Sequence, residues 1–131
     1  MMQLIGLAGI SPEVIAELKK GRPRTVEFVS AQNVVSASAV KVGDPVFLSS
    51  VPQDDLTAGD PGIIATVTAS ATTMQRISST VPGVYYEERE RLSVRLQLKI
   101  ACTSHVKRVL DRGCCKILLV DVVECSCPRA K

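Results

Sequence analysis

Apolar and polar residues alternate without exception between Arg91 and Ala101, and this pattern constrains the fold more than any other feature of the sequence. Because successive side chains of a β-strand point to opposite faces, a period of two predicts a strand with one buried face and one solvated face. The chain is therefore expected to contain a sheet that is covered on one side only. The alternating apolar residues are Leu92, Val94, Leu96, Leu98 and Ile100.

Further strands are predicted from short runs rich in β-branched and apolar residues that are bounded by turn residues. The run 117–123 is nearly all apolar, which indicates a central strand covered on both faces. Residues 78–83 break the strand pattern. Many short strands and one early helix favour a β-rich α+β fold, in the form of a small barrel. The other predicted strands are residues 1–10, 25–29, 45–49, 63–69, 72–77 and 106–110.

One N-terminal helix is predicted after Ser11, whose side chain can cap the first turn. Pro12 fits the first helical position, Glu13 suits the positive end of the helix dipole, and Gly21 can end the helix. The pattern predicts a helix of about ten residues. Residues 32–40 fit either a short helix or a loop followed by a strand.

Length and composition predict one folded domain over residues 1–131, with a loosely ordered tail from about residue 125. Apolar residues make up 46% of the chain, which excludes disorder over most of its length. Tryptophan is absent, and the four aromatic residues do not supply a row of rings on which bases could stack. These aromatic residues are Phe28, Phe47, Tyr85 and Tyr86.

The formal charge is +3, too small to identify a nucleic-acid-binding protein by itself. Its distribution is more informative. Residues 1–75 carry five basic and seven acidic side chains, whereas residues 76–116 carry nine basic and four acidic ones. An anionic partner is therefore expected to bind the second half of the chain.

No basic segment precedes the apolar start of the chain, and that start is too short to span a bilayer. We therefore expect a cytoplasmic protein without a membrane partner. Five cysteines, an odd number, then favour reduced thiols. Their spacing does not match paired metal-binding knuckles, so neither a metal nor another cofactor is expected. The cysteines are Cys102, Cys114, Cys115, Cys125 and Cys127.

Two resemblances to known families rest on particular segments. Residues 24–28, 42–47 and 62–67 resemble the early half of PUA-like domains of the ASCH branch, in which a strand with a basic-x-x-Glu-x-Arg motif precedes a Gly-Asp turn. Arg24 and Glu27 fill two places of that motif, but Val29 stands where the second Arg is expected.

Nearly the whole chain resembles an uncharacterised archaeal family, domain of unknown function four-seven-three. The PUA-like resemblance implies a barrel that binds RNA or modified bases, whereas the archaeal family implies no activity. The segments that carry the archaeal resemblance are 30–34, 42–44, 85–90 and 93–99.

The candidate binding residues form two groups. Arg24 and Glu27 are three residues apart, so on a strand they leave opposite faces; one of them could reach a ligand cleft, or both could be surface residues. Arg91, Arg95 and Lys99 share one strand face and could follow a nucleic-acid backbone, or they could form a solvated face with cross-strand ion pairs.

Further candidates surround these groups. Tyr86 could stack on a base beside Arg89, or its ring could cover a barrel end. Arg76 belongs to the same positive half of the chain. A second basic cluster surrounds a predicted hairpin near Gly113, where it could reach a phosphate or be solvated. Its members are His105, Lys107, Arg108, Arg112 and Lys116.

These observations favour a binding module for RNA or a nucleotide-like ligand. A protein-interaction or homo-oligomerisation domain is the first alternative, because a small chain with this apolar content is expected to expose apolar surface. A small PUA-like hydrolase or nuclease is the second, and it requires acids such as Glu27 and Asp44 at one cleft. The chain contains no catalytic signature, so no catalytic residue is predicted and an enzyme is not favoured.

Overall fold

The computed structural model describes residues 2–81, 85–111 and 117–123, and for residues 31–32, 75–81 and 85–91 it describes the backbone alone. These residues form six strands, two α-helices and a short 3-10 helix, joined by loops and turns. In chain order they are β1 (Met2–Leu7), α1 (Pro12–Lys19), β2 (Arg24–Phe28), α2 (Ala31–Ala39), β3 (Pro45–Leu48), the 3-10 helix (Gln53–Asp55), β4 (Pro61–Val81), β5 (Tyr85–Asp111) and β6 (Leu119–Val122).

Five of the strands close into a ring. The sheet order is β2-β5-β4-β3-β1-β6, and an additional pairing between β5 and β6 closes β5, β4, β3, β1 and β6 on themselves. Only β1 and β3 pair in parallel; the other described pairs are antiparallel. β2 adds to the outside of this ring along β5, from Arg24 opposite Leu98 to Phe28 opposite Val94.

Two apolar clusters use the two faces of the ring strands. Alternate residues of β3 separate between them: Phe47 packs in the cluster enclosed by the ring, whereas Val46 and Leu48 pack in the cluster beneath the helices. The enclosed cluster also includes Leu4, Ile64, Val106, Val120 and Val122. Gly62 lies directly against the Phe47 ring, where a Cβ atom would clash with both that ring and the Leu48 carbonyl.

The two helices cover the outside of the sheet. The Ser11 side chain caps α1 by accepting a hydrogen bond from the Glu13 amide, and Ile15 and Leu18 are buried. α1 has eight residues, somewhat fewer than the sequence predicts. Burying one side chain such as Leu18 contributes about 2 kcal/mol.

Residues 32–40, which the sequence fits to either a short helix or a loop followed by a strand, lie mostly in the helix α2. Ser30 caps α2 by accepting a hydrogen bond from the Asn33 amide at 3.3 Å. Val34 and Ala37, three residues apart, are both buried against the sheet. A cap and two buried residues at helical spacing select the helix, so the fold has two helices rather than one.

β4 and β5 are much longer than the strands that the sequence predicts. The predicted strands 63–69 and 72–77 are one strand, which continues to Val81 through the expected break, and residues 106–110 are the end of β5. Main-chain hydrogen bonds between β4 and β5 keep residues 78–81 in the strand, although the sequence of this segment suggested a break. Register shifts near residues 64–69 and 106–111 interrupt the long ladders without ending them.

The alternation in β5 is confirmed in the stretch that β2 covers. Val94, Leu96 and Leu98 are fully buried, while Arg95 and Lys99 are exposed. Leu92 departs from the pattern and is 37% exposed, because β2 ends opposite Val94 and no described element packs beyond it. The predicted central strand is also confirmed, since β6 lies between β1 and β5.

Candidate functional site

The face of β2 and β5 that lies opposite the helices carries a group of polar side chains that we call the polar face. It comprises Thr25 and Glu27 of β2 and Arg95, Gln97 and Lys99 of β5. The register places these residues side by side, with Thr25 opposite Gln97 and Glu27 opposite Arg95. The alternate residues of β5 are buried under the helices, so the strand period turns every one of these polar side chains outward.

Arg95 and Glu27 form an ion pair across the two strands. The Arg95 Nε atom lies 3.2 Å from Glu27 Oε2, and the two side chains are 58% and 45% exposed. An ion pair this exposed contributes about 0–1 kcal/mol. It orients the guanidinium without locking it, so Arg95 retains N–H groups that can bind an anion.

A shallow groove of about 210 Å³ runs beside Arg95. Gln97 at its edge is held by Thr68, whose hydroxyl lies 3.1 Å from the Gln97 main-chain oxygen and 3.0 Å from its Oε1 atom. Because two of the lining residues are alanines, nothing bulky fills the groove. Its lining is Thr25, Ala69, Ser70, Ala71, Arg95 and Gln97.

A second cleft, of about 270 Å³, lies where α1 and α2 begin. The capping residues Ser11 and Ser30 both line it, and Asn33 donates a hydrogen bond from Nδ2 to the Ala8 carbonyl at 2.9 Å. The Ser11 hydroxyl donates a hydrogen bond to the Glu13 carboxylate and, with the Glu13 amide, holds the pKa of that exposed carboxyl below its ordinary value. Each serine already satisfies an amide of its own helix, so these helix ends are capped from within the chain.

The second basic cluster has an acidic partner that the sequence analysis missed. Arg108 Nε lies 3.6 Å from Asp121 Oδ2, and the Asp121 side chain is only 2% exposed. Within the described part of the chain, Asp121 Oδ1 has no hydrogen-bond partner. A single acid within the apolar run 117–123 was the available signal. His105 and Lys107 are exposed, and Arg112 and Lys116 lie outside the described residues.

Cys102 is buried in the enclosed cluster and is disulfide-bonded, contrary to the expectation of reduced thiols. The other four cysteines lie outside the described residues. Within the described ranges, no three histidine, cysteine or acidic side chains come together in a way that could hold a metal ion.

Of the remaining predicted site residues, Arg24 is exposed at the start of β2, opposite Leu98 rather than Lys99 or Arg95. Its register confirms that Arg24 and Glu27 occupy opposite faces of the strand. The backbone of the other four lies in the paired β4–β5 segment, but their side chains fall outside the described part of the structure. These four are Arg76, Tyr86, Arg89 and Arg91.

Glu27 and Asp44, the acids that a hydrolase or nuclease would need, both have other partners. Glu27 pairs with Arg95, and Asp44 Oδ2 accepts a hydrogen bond from the Lys41 amide at 2.9 Å. Glu27 lines the cleft between the helices, whereas Asp44 does not. The geometry therefore offers no paired carboxylates at that cleft.

A larger apolar pocket, of about 630 Å³, lies against the outside of β1 and β6, and its lining is Ile5, Val35, Asp111, Ile117 and Leu119. Its few polar atoms give it little means to orient a specific ligand.

Among the residues that the structure describes, no helix has the length and apolar character needed to cross a membrane.

Comparisons with known proteins identify relatives without assigning an activity. A family model described as "Protein of unknown function (DUF473)" matches residues 2–120. An uncharacterized protein of the archaeon Methanocaldococcus jannaschii is 29% identical over 100 residues, a match that covers 76% of this chain and 62% of the relative. No solved structure matches the chain.

Proposed function

Because the chain belongs to the DUF473 family, which is described as being of unknown function, we propose its function from its geometry: it is a non-catalytic binding module whose polar face binds the phosphates of single-stranded RNA or of a nucleotide-like ligand. The observation that carries this proposal is the outward placement of Arg95 and Lys99 on one strand. These residues are separated by about 13 Å along the strand, so they can contact two different phosphates.

The surroundings of these two cations fit a phosphate backbone. Thr25, Gln97 and the groove beside Arg95 supply hydrogen-bonding groups at the same surface. Arginine binds phosphate oxygens through two parallel N–H groups, and lysine binds them as a point charge. No base-stacking residue lies among the described side chains of this face, which favours contacts to phosphate and sugar over sequence readout.

The negative charge of Glu27 opposes the binding of an anion at Arg95, and removing this charge provides a test of the site. Its carboxylate occupies one side of the Arg95 guanidinium at 3.2 Å. A phosphate that approaches Arg95 competes with this exposed ion pair, which is a weak competitor. Glu27→Gln is therefore expected to strengthen binding, since it removes a like charge while keeping the side-chain shape.

Fluorescence anisotropy with unrelated single-stranded RNA oligonucleotides at several salt concentrations tests the proposal. The variant Arg95→Gln with Lys99→Gln is expected to bind every sequence more weakly. It should also reduce the salt slope by about 1.4, at roughly 0.7 per phosphate contact. The matched control, Lys19→Gln with Lys41→Gln, removes the same charge from exposed positions elsewhere and should leave both values unchanged.

Two results contradict the proposal. One is equal affinity for the wild type and the folded Arg95–Lys99 variant. The other is no detectable RNA binding by the wild type in low salt, where attraction between exposed charges is strongest. Adenosine monophosphate added as a competitor distinguishes a site for single-stranded RNA from a site for a nucleotide-like ligand. If it displaces RNA at millimolar concentration, the site is nucleotide-sized.

A further inference from the structure

Beyond the ring, the described residues give β4 a neighbouring strand on one side only. β3 pairs with β4 as far as Thr66, and Val67 exchanges main-chain hydrogen bonds with Gly43 and Asp44. From Ala69 to Val81, every pairing of β4 in the described part of the chain is with β5. We call residues 68–81 of β4, on the side away from β5, the open edge.

The open edge has few of the features that keep an edge strand from pairing with another chain: one register shift, between Val67 and Ala69, lies at its start, and its pairing with β5 is regular from there to Val81. Its sequence, TASATTMQRISSTV, contains no proline or glycine and a single charge, Arg76. Side chains 68–74 are all exposed, so no helix or loop among the described residues covers this part of the strand. Natural proteins protect long edge strands with charges, proline, bulges or covering elements, because free N–H and C=O groups recruit further strands.

The edge of β2 that faces away from β5 pairs with no described strand, and it shows how the same sheet protects an edge. β2 has five residues, and two of them, Arg24 and Glu27, are charged and exposed. A short, charged edge offers few hydrogen bonds to a partner strand and repels many sequences. The chain therefore protects one of these two edges and leaves the longer one unprotected.

We infer that the open edge pairs antiparallel with the open edge of a second copy of this chain, across a two-fold axis. Self-pairing meets little electrostatic opposition, since the open edge carries one charge in 14 residues and residues 72–92 carry three basic and three acidic side chains. A two-fold axis presents the same edge from both copies and closes the assembly at two chains.

Exposed apolar side chains on and beside the open edge also support pairing with a second copy of the chain. Met74 is 63% exposed, more than any other large apolar residue described, and Leu92, opposite it on β5, is 37% exposed. From Thr73 to Val81, the described pairing of β4 is with β5 alone, because β2 ends opposite Val94. An isolated pair of strands is marginally stable in water, whereas pairing with a second copy adds two strands and buries part of this apolar surface. The partner thus supplies both main-chain hydrogen bonds and apolar contact.

Sedimentation velocity over about 1 to 500 µM protein, with free thiols blocked by iodoacetamide, tests the inference through a charge exchange. The wild type is expected to form a dimer as its concentration rises. Ser70→Lys with Thr72→Lys places four added positive charges at the seam, and Ser70→Glu with Thr72→Glu places four negative ones. Each variant alone is expected to bind itself at least tenfold more weakly, and an equimolar mixture is expected to regain the dimer.

The mixture also controls for folding, because only folded chains with complementary edges can restore the dimer. A matched control, Ala16→Lys with Ala58→Lys, adds the same charge at exposed positions on α1 and in the loop before β4, away from the open edge, and should dimerise as the wild type does. A wild type that is monomeric throughout overturns the inference. Undiminished dimerisation of both charged variants, failure of the mixture to associate, or growth of the wild type beyond two chains does so as well.

Discussion

β4 and β5 belong to the closed ring and also extend beyond it, where residues 68–81 of β4 and their β5 partners form what we call the ribbon. The ring and the ribbon are stabilised in different ways. Inside the ring, the β4 residues Ile63, Ile64 and Ala65 are consecutive and all buried, because each face of the strand meets a core. Beyond the ring, side chains 68–74 of the same strand are all exposed. The comparison teaches that strand length and strand burial are separate properties: hydrogen bonding extends β4 well past the point where its apolar packing ends.

The largest expected effect is a difference in the free energy of unfolding between a buried residue of the ring and an exposed residue of the ribbon. Phe47→Ala should lower the free energy of unfolding by about 3–5 kcal/mol, since it opens a cavity in the enclosed cluster where Phe47 is 1% exposed. Met74→Ala in the ribbon should change it by less than about 0.5 kcal/mol at monomeric concentrations. Urea denaturation checks both values, and similar losses for the two variants would contradict the comparison.

A smaller effect tests the closure of the ring between β5 and β6. Arg108→Ala removes the ion-pair partner of the buried Asp121 carboxylate and should cost about 1–3 kcal/mol. In the Asp121→Asn background the same substitution should cost distinctly less, because no buried charge is left without its partner. Thermal unfolding of the four proteins of this double-mutant cycle measures the difference, and additive losses would show that the pair does not hold the strands together.

The smallest of these stability effects concerns the helix that the sequence leaves undecided. Ser30→Ala removes the cap of α2 and should cost about 1 kcal/mol. Ser30→Asp keeps an acceptor at that position and should cost less. A loss of helical circular dichroism at low urea in Ser30→Ala, with the ring still folded, would locate the effect in α2, and an unchanged unfolding midpoint would show that the cap is not needed.

The sequence predicts the covered side of the sheet well, because its signal is local. The alternation from residue 94 to residue 99 and the apolar run at 117–123 each indicate burial directly, whereas Leu92 and Ser93 depart from the alternation. The cap at Ser11 likewise predicts where α1 begins, and the structure confirms it. In each case the deciding residues are neighbours in the chain.

The features that the sequence does not predict depend on contacts between distant segments. β4 runs through its serine and threonine residues because β5 pairs with it, and this partner cannot be recognised from residues 78–81 alone. Asp121 is tolerated inside an apolar run because Arg108 on another strand approaches it. On the polar face, spacing predicts that Arg95 faces outward, but only the register reveals that Glu27 lies beside it.

Hydrogen exchange of backbone amides at low and high protein concentration tests the contrast between the closed ring and the open edge most directly. Amides of β1, β3 and β6 should be equally protected at about 1 µM and about 500 µM, because the ring supplies their partners within one chain. Amides of residues 68–74 that point away from β5 should exchange rapidly at the low concentration and slowly at the high one. Strong protection of these edge amides at both concentrations, or rapid exchange at both, would contradict the account.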